Sequence, residues 1–592
     1  MKPPKELPIS DEFASEEEYV ESLLEYVTTT DMYQILCGGI HILDFFTTDP
    51  GLYYTAIPTE WQKFLKDCEK MALLDFLLRN DLDSTGEVGD AGRPPESLVQ
   101  FVKDIRRLTL RRDFSPRKQK LPILPRHVTL GMNVKKIHEV TNFADYADRL
   151  ADGVSTAYGK RVTHLIDFGS GQNYLGRALA SAPYNRHVVA VESKGHNIAS
   201  AKSLDVLSGL AENGKPLRNK KVFMQLLDER TPADKRGDKA RDRAARASVL
   251  SAEAIAAVEL RPRRELQVVY PAEEGKGIIH YVEGRLETGD LSDVLQKVQE
   301  ELPPDKDKDL RLMAVSIHSC GNLSHFGIRS MILNPSIQAV AIVGCCYNLM
   351  TEKLGPPTHP LPYMRQTLQS LNRREIRESE RCDPEGFPLS QRLSTHKGGI
   401  RYNVSARMMA CQAPANWDDG GELFFTRHFF RTVLQRIFFD RGVVSKISHD
   451  VGAPAGEGRR ETPFNTSTNP IVLGTLAKHC YASFHSYVRG AIKKLTTSKE
   501  YTEHAETVRQ RMAGITDEEI ERYYQDYVDR RSEVTSVWSL MAFCAGVTES
   551  AIVTDRWLFL KENPDVVQDC WVETVFDYHQ SPRNLVVVGI KK

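Results

Sequence analysis

The chain of 592 residues has almost no net charge, −1 from 78 Lys and Arg against 79 Asp and Glu. That balance excludes a global electrostatic footprint for nucleic acid and leaves any such binding to a local patch. No unbroken apolar run of about 18 residues is present, the length a bilayer-spanning helix needs, so no membrane partner is expected. The residues after Met1 are acidic and polar, not basic and then apolar, so no secretory signal peptide is expected. Ten cysteines are scattered along the chain, with Cys345 and Cys346 adjacent. That is not the spacing of a secreted disulfide framework, and a reducing intracellular compartment, cytoplasm or nucleus, is the expected setting.

What is present is an ordinary globular balance, 41% hydrophobic and 27% charged. Such a length implies several structural units. Residues 15–110 read as helices, with apolar positions at helical spacing over 17–26 and 64–78. Residues 84–95 form a break, and Pro122 and Pro125 mark an exposed linker. A helix is expected over 134–150. Short apolar runs at 164–167, 188–192, 277–282, 311–318 and 339–344 then alternate with helical stretches at 174–182 and 198–210. That alternation predicts a parallel, doubly wound α/β sheet. Residues 228–272 are expected to be a charged insertion lying on the surface, helical or disordered in its first part. Helices are expected at 423–439, 473–495, 517–531 and 534–544. Strands at 571–578 and 584–591 flank a Ser-Pro turn.

Asp167-Phe168-Gly169-Ser170-Gly171 joins the end of the first strand to a helix. Glycines there let a backbone approach a ligand closely. A dinucleotide fingerprint needs a third glycine at position 174, which is Tyr174, so that reading fails. Asp167 suits a ligand with a cationic amino group, which S-adenosylmethionine has and NAD lacks. Glu192, 23 positions after Gly169, ends the next strand where an acid hydrogen-bonds ribose hydroxyls. Arg285 and Leu286 follow the third strand and are expected against the adenine. Asn173 tolerates the left-handed conformation better than most residues.

In an open α/β sheet, ligands sit beyond the carboxyl ends of the strands. Strand four ends in His318-Ser319-Cys320-Gly321-Asn322 and strand five in Gly344-Cys345-Cys346-Tyr347-Asn348. These loops border the expected reacting end. His318 is the candidate base, with Cys320 beside it, and Asn322 or Tyr347 the candidate to orient an acceptor. His318, Cys320, Cys345 and Cys346 are soft ligands. Their spacing resembles no zinc finger, however, and adjacent cysteines ligate one ion awkwardly, so no metal is expected.

The chain resembles the methyltransferase-like protein 25 family from about Pro58 to Lys592. The likeness rests on Pro58-Thr59-Glu60-Trp61, Lys135-Lys136-Ile137-His138-Glu139-Val140, Asp167-Phe168-Gly169-Ser170-Gly171-Gln172, His318-Ser319-Cys320-Gly321-Asn322-Leu323, Gly344-Cys345-Cys346-Tyr347-Asn348-Leu349, Gly386-Phe387-Pro388-Leu389-Ser390, Ala406-Arg407-Met408-Met409-Ala410-Cys411-Gln412, Asp555-Arg556 and Ser581-Pro582-Arg583-Asn584. It implies a class I, Rossmann-like methyltransferase sheet closed by a C-terminal hairpin, with N-terminal and C-terminal helical additions, and an S-adenosylmethionine-dependent activity of undefined substrate. Asn173 stands where the family usually has a third glycine, and Asn322 replaces a common Asp. The paired His-x-Cys-Gly and Cys-Cys segments are also similar to tRNA 2′-O-methyltransferases of eukaryotes, with Tyr347-Asn348 in place of two histidines.

The expected organisation is an N-terminal helical region and basic linker over 1–130, a core over 131–412, a helical insertion over 413–568 and a closing hairpin over 569–592. Lys103, Arg106, Arg107, Arg111 and Arg112 begin a basic stretch that continues through Arg117, Lys118, Lys120 and Arg126 and would contact phosphates, which makes RNA the leading substrate class. A protein or small-molecule acceptor is the second reading. A catalytically silent, cofactor-binding interaction protein is the third.

Overall fold

Seven strands alternate with helices to build one mixed sheet. They are β1 (His164–Phe168), β2 (His187–Glu192), β3 (Ile279–Glu283), β4 (Leu312–Cys320), β5 (Ile337–Cys345), β6 (Val567–Thr574) and β7 (Leu585–Lys591). The computed structural model describes residues 2–79, 81–82, 86–116, 120–213, 232, 235, 237–246, 268–271, 275–301, 310–354, 382–417, 421–448, 466–468 and 470–592. Arg117, Lys118 and most of the charged insertion at 228–272 lie outside them.

The strand order is β6-β7-β5-β4-β1-β2-β3. β1 to β5 are mutually parallel, and β7 runs antiparallel to both β5 and β6. The order reverses between β1 and β4, which is the crevice where open α/β sheets hold ligands. This is the class I α/β arrangement the sequence implied, with the terminal hairpin in place at the edge.

Both faces of the central sheet are covered, which is why β2, β4 and β5 read as largely apolar runs and not as alternation. Leu165, Val188, Ala190, Met313 and Val315 pack with α2 (Val134–Ala157) and α3 (Tyr174–Ala180). Ile166, Phe168, Val189, Val191 and Ile342 face the other way. There they join α5 (Leu323–Leu333), α7 (Arg531–Lys561) and the N-terminal helices, including α1 (Glu96–Leu108), in one continuous core. Between α3 and α5 lies α4 (Gly195–Leu207), and α6 (Gly421–Asp440) precedes α7.

Several expected elements differ in detail. The helix expected at 64–78 is two helices, Thr59–Asp67 and Lys70–Leu78, because Glu69 turns and caps the second through Met71 N and Ala72 N. The helix expected from 473 begins only at Phe484, where Ser483 accepts from Ser486 N. The linker at Pro122 and Pro125 is not wholly exposed, since Leu124 and Val128 are buried. A helical segment ending in α7, Asp517–Lys561, is long and apolar enough to cross a membrane, but 94% of its apolar window is buried inside the fold, as in a core helix.

Candidate active site

The turn after β1 adopts the conformation its glycines allow. Gly169 and Gly171 have φ of 68° and 58°, and Asn173 follows at 53° as the residue before α3. Asn173 fills a left-handed position that most side chains avoid. Its Nδ2 donates to the Tyr281 hydroxyl at 2.9 Å. A Cβ on Gly169 would lie 2.7 Å from Leu323 Cδ2, so the turn abuts the first residue of α5. The glycine loop and the loop after β4 are therefore neighbours.

Asp167 is buried at the end of β1, and among the described residues no donor is hydrogen-bonded to its carboxylate. Burial pushes this carboxyl up to about 8; the Glu192 charge adds to the rise and Lys136 opposes it. Glu192 accepts from Gly171 N and Lys194 N, both at 2.9 Å. These bonds lock the turn and leave lone pairs on each oxygen. The Ser170 hydroxyl is buried without a partner. An uncompensated buried acid, an orphan hydroxyl and a left-handed glycine turn fit a ligand that carries a cationic amino group beside hydroxyls. Leu286 lies in the core, 7% exposed, while Arg285 is exposed. The two therefore do not form one apolar platform.

The reacting end is built on irregular strand ends. The register between β4 and β5 shifts between Ser316 and Ser319, and His318 sits inside that irregularity. Its Nε2 lies 2.5 Å from Lys136 Nζ and 3.0 Å from Glu139 Oε2. Burial raises the Glu139 carboxyl, but hydrogen bonds and charge from His318 and Lys136 outweigh it and hold the group at about 2. Glu139 Oε1 also accepts from Ser581 Oγ at 2.7 Å, so the carboxylate ties α2 to the terminal hairpin. Neither Glu139 nor Ser581 carried a role in the sequence reading, although each lies inside a quoted motif.

Asn322 and Tyr347 hold the protein's own structure. Asn322 Nδ2 donates to Thr351 Oγ1 at 2.5 Å and its Oδ1 accepts from Thr351 N at 3.0 Å. Tyr347 is 2% exposed, and its hydroxyl donates to Glu549 Oε1 at 2.8 Å. Arg112 and Arg583 hold the other oxygen of Glu549, at 2.5 and 2.7 Å. Both side chains are thus engaged within the protein.

Cys320, Cys345 and Cys346 converge. Cys320 pairs with Cys345 across the ends of β4 and β5. Adjacent residues on a strand point to opposite faces, but Cys346 has φ 41° and ψ 54°, and this left-handed turn folds its thiol back beside Cys345. The awkwardness expected of adjacent cysteines is thereby removed. The three Sγ atoms are 3.2, 3.4 and 3.6 Å apart. Thiol hydrogen bonds from Cys320 and Cys345 hold the Cys346 thiol well below the ordinary range against its burial.

The basic stretch lines a cavity of about 990 Å³, with Lys103, Arg106, Arg107, Arg111 and Arg112 on its wall together with Glu549 and Tyr578. These cations already have partners within the chain. Arg106 donates to the Leu77 carbonyl, Arg107 lies over the Phe13 ring, Arg111 pairs with Asp11, and Arg112 pairs with Glu549. Glu549 on the cavity wall accepts from the Tyr347 hydroxyl, which belongs to the loop after β5.

The fold and the turn together define an α/β methyltransferase domain. A family described as "Methyltransferase domain" matches residues 135–353, from α2 through the loop after β5. The chain is similar to the protein named "Probable methyltransferase-like protein 25" of Mus musculus, 28% identical over 282 residues, and to that of Homo sapiens, 28% identical over 286. The matched segments are 47% and 48% of this chain, and cover only 37% and 38% of the relatives' lengths. The resemblance that the motifs carried is thus found over about half of the chain. No solved structure matches it.

Proposed function

We propose that this protein is an S-adenosylmethionine-dependent methyltransferase whose acceptor is RNA. The observation that carries the cofactor reading is Asp167, buried and uncompensated beside the left-handed Gly169–Gly171 turn at the sheet's switch point. The cofactor supplies an electrophilic methyl group. Asp167, Ser170 and Glu192 are the side chains that would hold it, and the loops bearing His318 and Cys320 border the transfer. Holding an acceptor close and in line is the protein's main task in such a displacement. The RNA reading is supported by the five basic residues that line one cavity, whose wall residue Glu549 is bonded to Tyr347 of the loop after β5; phosphate binding would have to compete with the partners that they already have. Ten free thiols support a reducing, intracellular setting.

Calorimetric titration of the full chain with S-adenosylmethionine tests the first half. One site of micromolar affinity is expected, about tenfold or more weaker in Asp167→Asn. Absence of both heat and thermal shift overturns the cofactor reading. Transfer of labelled methyl to total RNA but not to protein tests the second half. Label in protein alone overturns the RNA reading, and binding without any transfer identifies an interaction protein.

A further inference from the structure

We infer that Cys320, Cys345 and Cys346 form a zinc site of three thiolates at the carboxyl ends of β4 and β5. This goes beyond the cofactor reading and does not depend on it. All three sulfurs lie within 4.8 Å of one another, and their separations of 3.2, 3.4 and 3.6 Å bracket one point in space. At a zinc–sulfur bond of about 2.3 Å, tetrahedral ligation sets sulfurs roughly 3.8 Å apart, so small side-chain rotations admit the ion. A disulfide joins two sulfurs at about 2.05 Å and leaves the third out, so it accounts for only part of the arrangement.

The backbone around the cluster is specialised to produce it. Cys346 holds a left-handed conformation that residues with a side chain rarely adopt, and its result is to turn the third thiol toward the other two. Gly321 is also left-handed, and a Cβ on it would lie 2.5 Å from the Leu349 carbonyl oxygen. A Cβ on Gly344 would collide with the Arg556 guanidinium. Glycine at 321 therefore lets the two loops approach as closely as they do, while glycine at 344 leaves room for Arg556 of α7 beside the end of β5.

The chemistry of the donors selects the ion. Three thiols without carboxylate or carbonyl oxygen suit a borderline-soft, d10 ion and not magnesium or calcium. Binding releases the thiol protons and leaves a fourth position for an exchangeable ligand, the pattern of a zinc that acts and does not merely brace a fold. Cys320 is on the exposed side, so the ion is reachable from solvent. Cys411 is held by Asn348 and the Arg407 carbonyl and stays outside the set.

The test uses the full chain, purified reduced and without chelator. Elemental analysis is expected to find about one zinc per chain, and cobalt substitution to give the charge-transfer band of thiolate ligation. The Cys320→Ser, Cys346→Ser double variant changes the two less buried ligands. It is expected to fold and to hold below about one tenth of an ion per chain. Cys411→Ser is expected to keep the metal. The inference is overturned if the folded, reduced protein takes up no zinc, if the double variant retains it in full, or if peptide mapping finds a disulfide within the cluster in the protein as purified.

Discussion

Tyr347 and Glu549 share a buried hydrogen bond of 2.8 Å that joins the loop after β5 to the middle of α7. Arg556 and Arg583 stack on the Tyr347 ring at 5.5 and 6.0 Å, and Arg112 and Arg583 neutralise the carboxylate. The loop that borders the reacting end is thus braced from behind by one carboxylate shared among three partners. Tyr347→Phe removes one hydrogen bond and leaves the ion pairs, so a stability loss of about 1 kcal/mol and nearly unchanged cofactor affinity are expected. Glu549→Ala leaves two guanidinium groups buried without a counter-charge, and a loss of about 3–5 kcal/mol is expected. Urea unfolding of both variants checks this. Equal losses would show that the carboxylate is not the centre of the cluster.

The Asp167 carboxyl gives cofactor binding a defined pH profile. Its folded-state pKa is raised from 3.8 to about 8, so the free protein holds a proton there at neutral pH. Stability from this group is present at acid pH and is lost as pH rises from about 4 toward 8, because only the unfolded chain ionises in that window. A cationic amino group binds the ionised form, so affinity for S-adenosylmethionine is expected to rise up to about tenfold per pH unit below 8. The ligand's own α-amino group titrates at about 8, which bends the profile down above that point. Calorimetry from pH 6 to 9 is expected to trace a bell, with the acid limb missing in Asp167→Asn. A flat profile in the wild type removes Asp167 from the ligand.

Glu139 runs the opposite way. Its carboxyl is held at about 2 instead of 4.5, so its pairing with Lys136 and His318 contributes stability above about 4.5 that is lost as pH falls toward 2. Glu139→Gln is expected to cost about 2–3 kcal/mol at pH 7. The difference from wild type should shrink between pH 4.5 and 3. A difference that stays constant over that range shows that the loss comes from packing and not from charge.

The central strands were legible because β2, β4 and β5 are buried on both faces and so written as largely apolar runs, whereas Gln568 and Asp569 interrupt β6 at the edge. The glycine turn was legible because residues 167–173 are contiguous. What escaped were relationships between segments far apart in the chain. Arg177 and Asp205 form a fully buried ion pair at 3.0 Å, and nothing local distinguishes Arg177 from a surface arginine on α3. Arg106, Arg107, Arg111 and Arg112 read as one basic surface. The structure gives each a different partner, because Arg106 and Arg107 are one helical step apart on α1 while Arg111 and Arg112 lie in the segment beyond its end. Spacing also argued against joint ligation by Cys345 and Cys346, since a left-handed residue at a strand end leaves no trace in composition.

The missing third glycine has a counterpart one turn further on. Asn173 occupies the left-handed position, and its side chain folds over Gly176, where an added Cβ would overlap the Asn173 carboxamide. The close approach that a glycine at 173 would provide is supplied instead by the pair of Asn173 and Gly176. Gly176→Ala alone is therefore expected to destabilise the turn by about 2–3 kcal/mol and to weaken cofactor binding with it. Asn173→Gly alone loses the hydrogen bond to Tyr281 but gains a residue suited to φ 53°, so its cost is expected to stay near 1 kcal/mol or below. In the double variant the clash has no partner, and most of the stability lost in Gly176→Ala should return. A double-mutant cycle measured by urea unfolding is expected to give a coupling of about 1–2 kcal/mol. Strict additivity would mean that the two residues do not share the space the geometry assigns them, and that the turn tolerates Asn173 for some other reason.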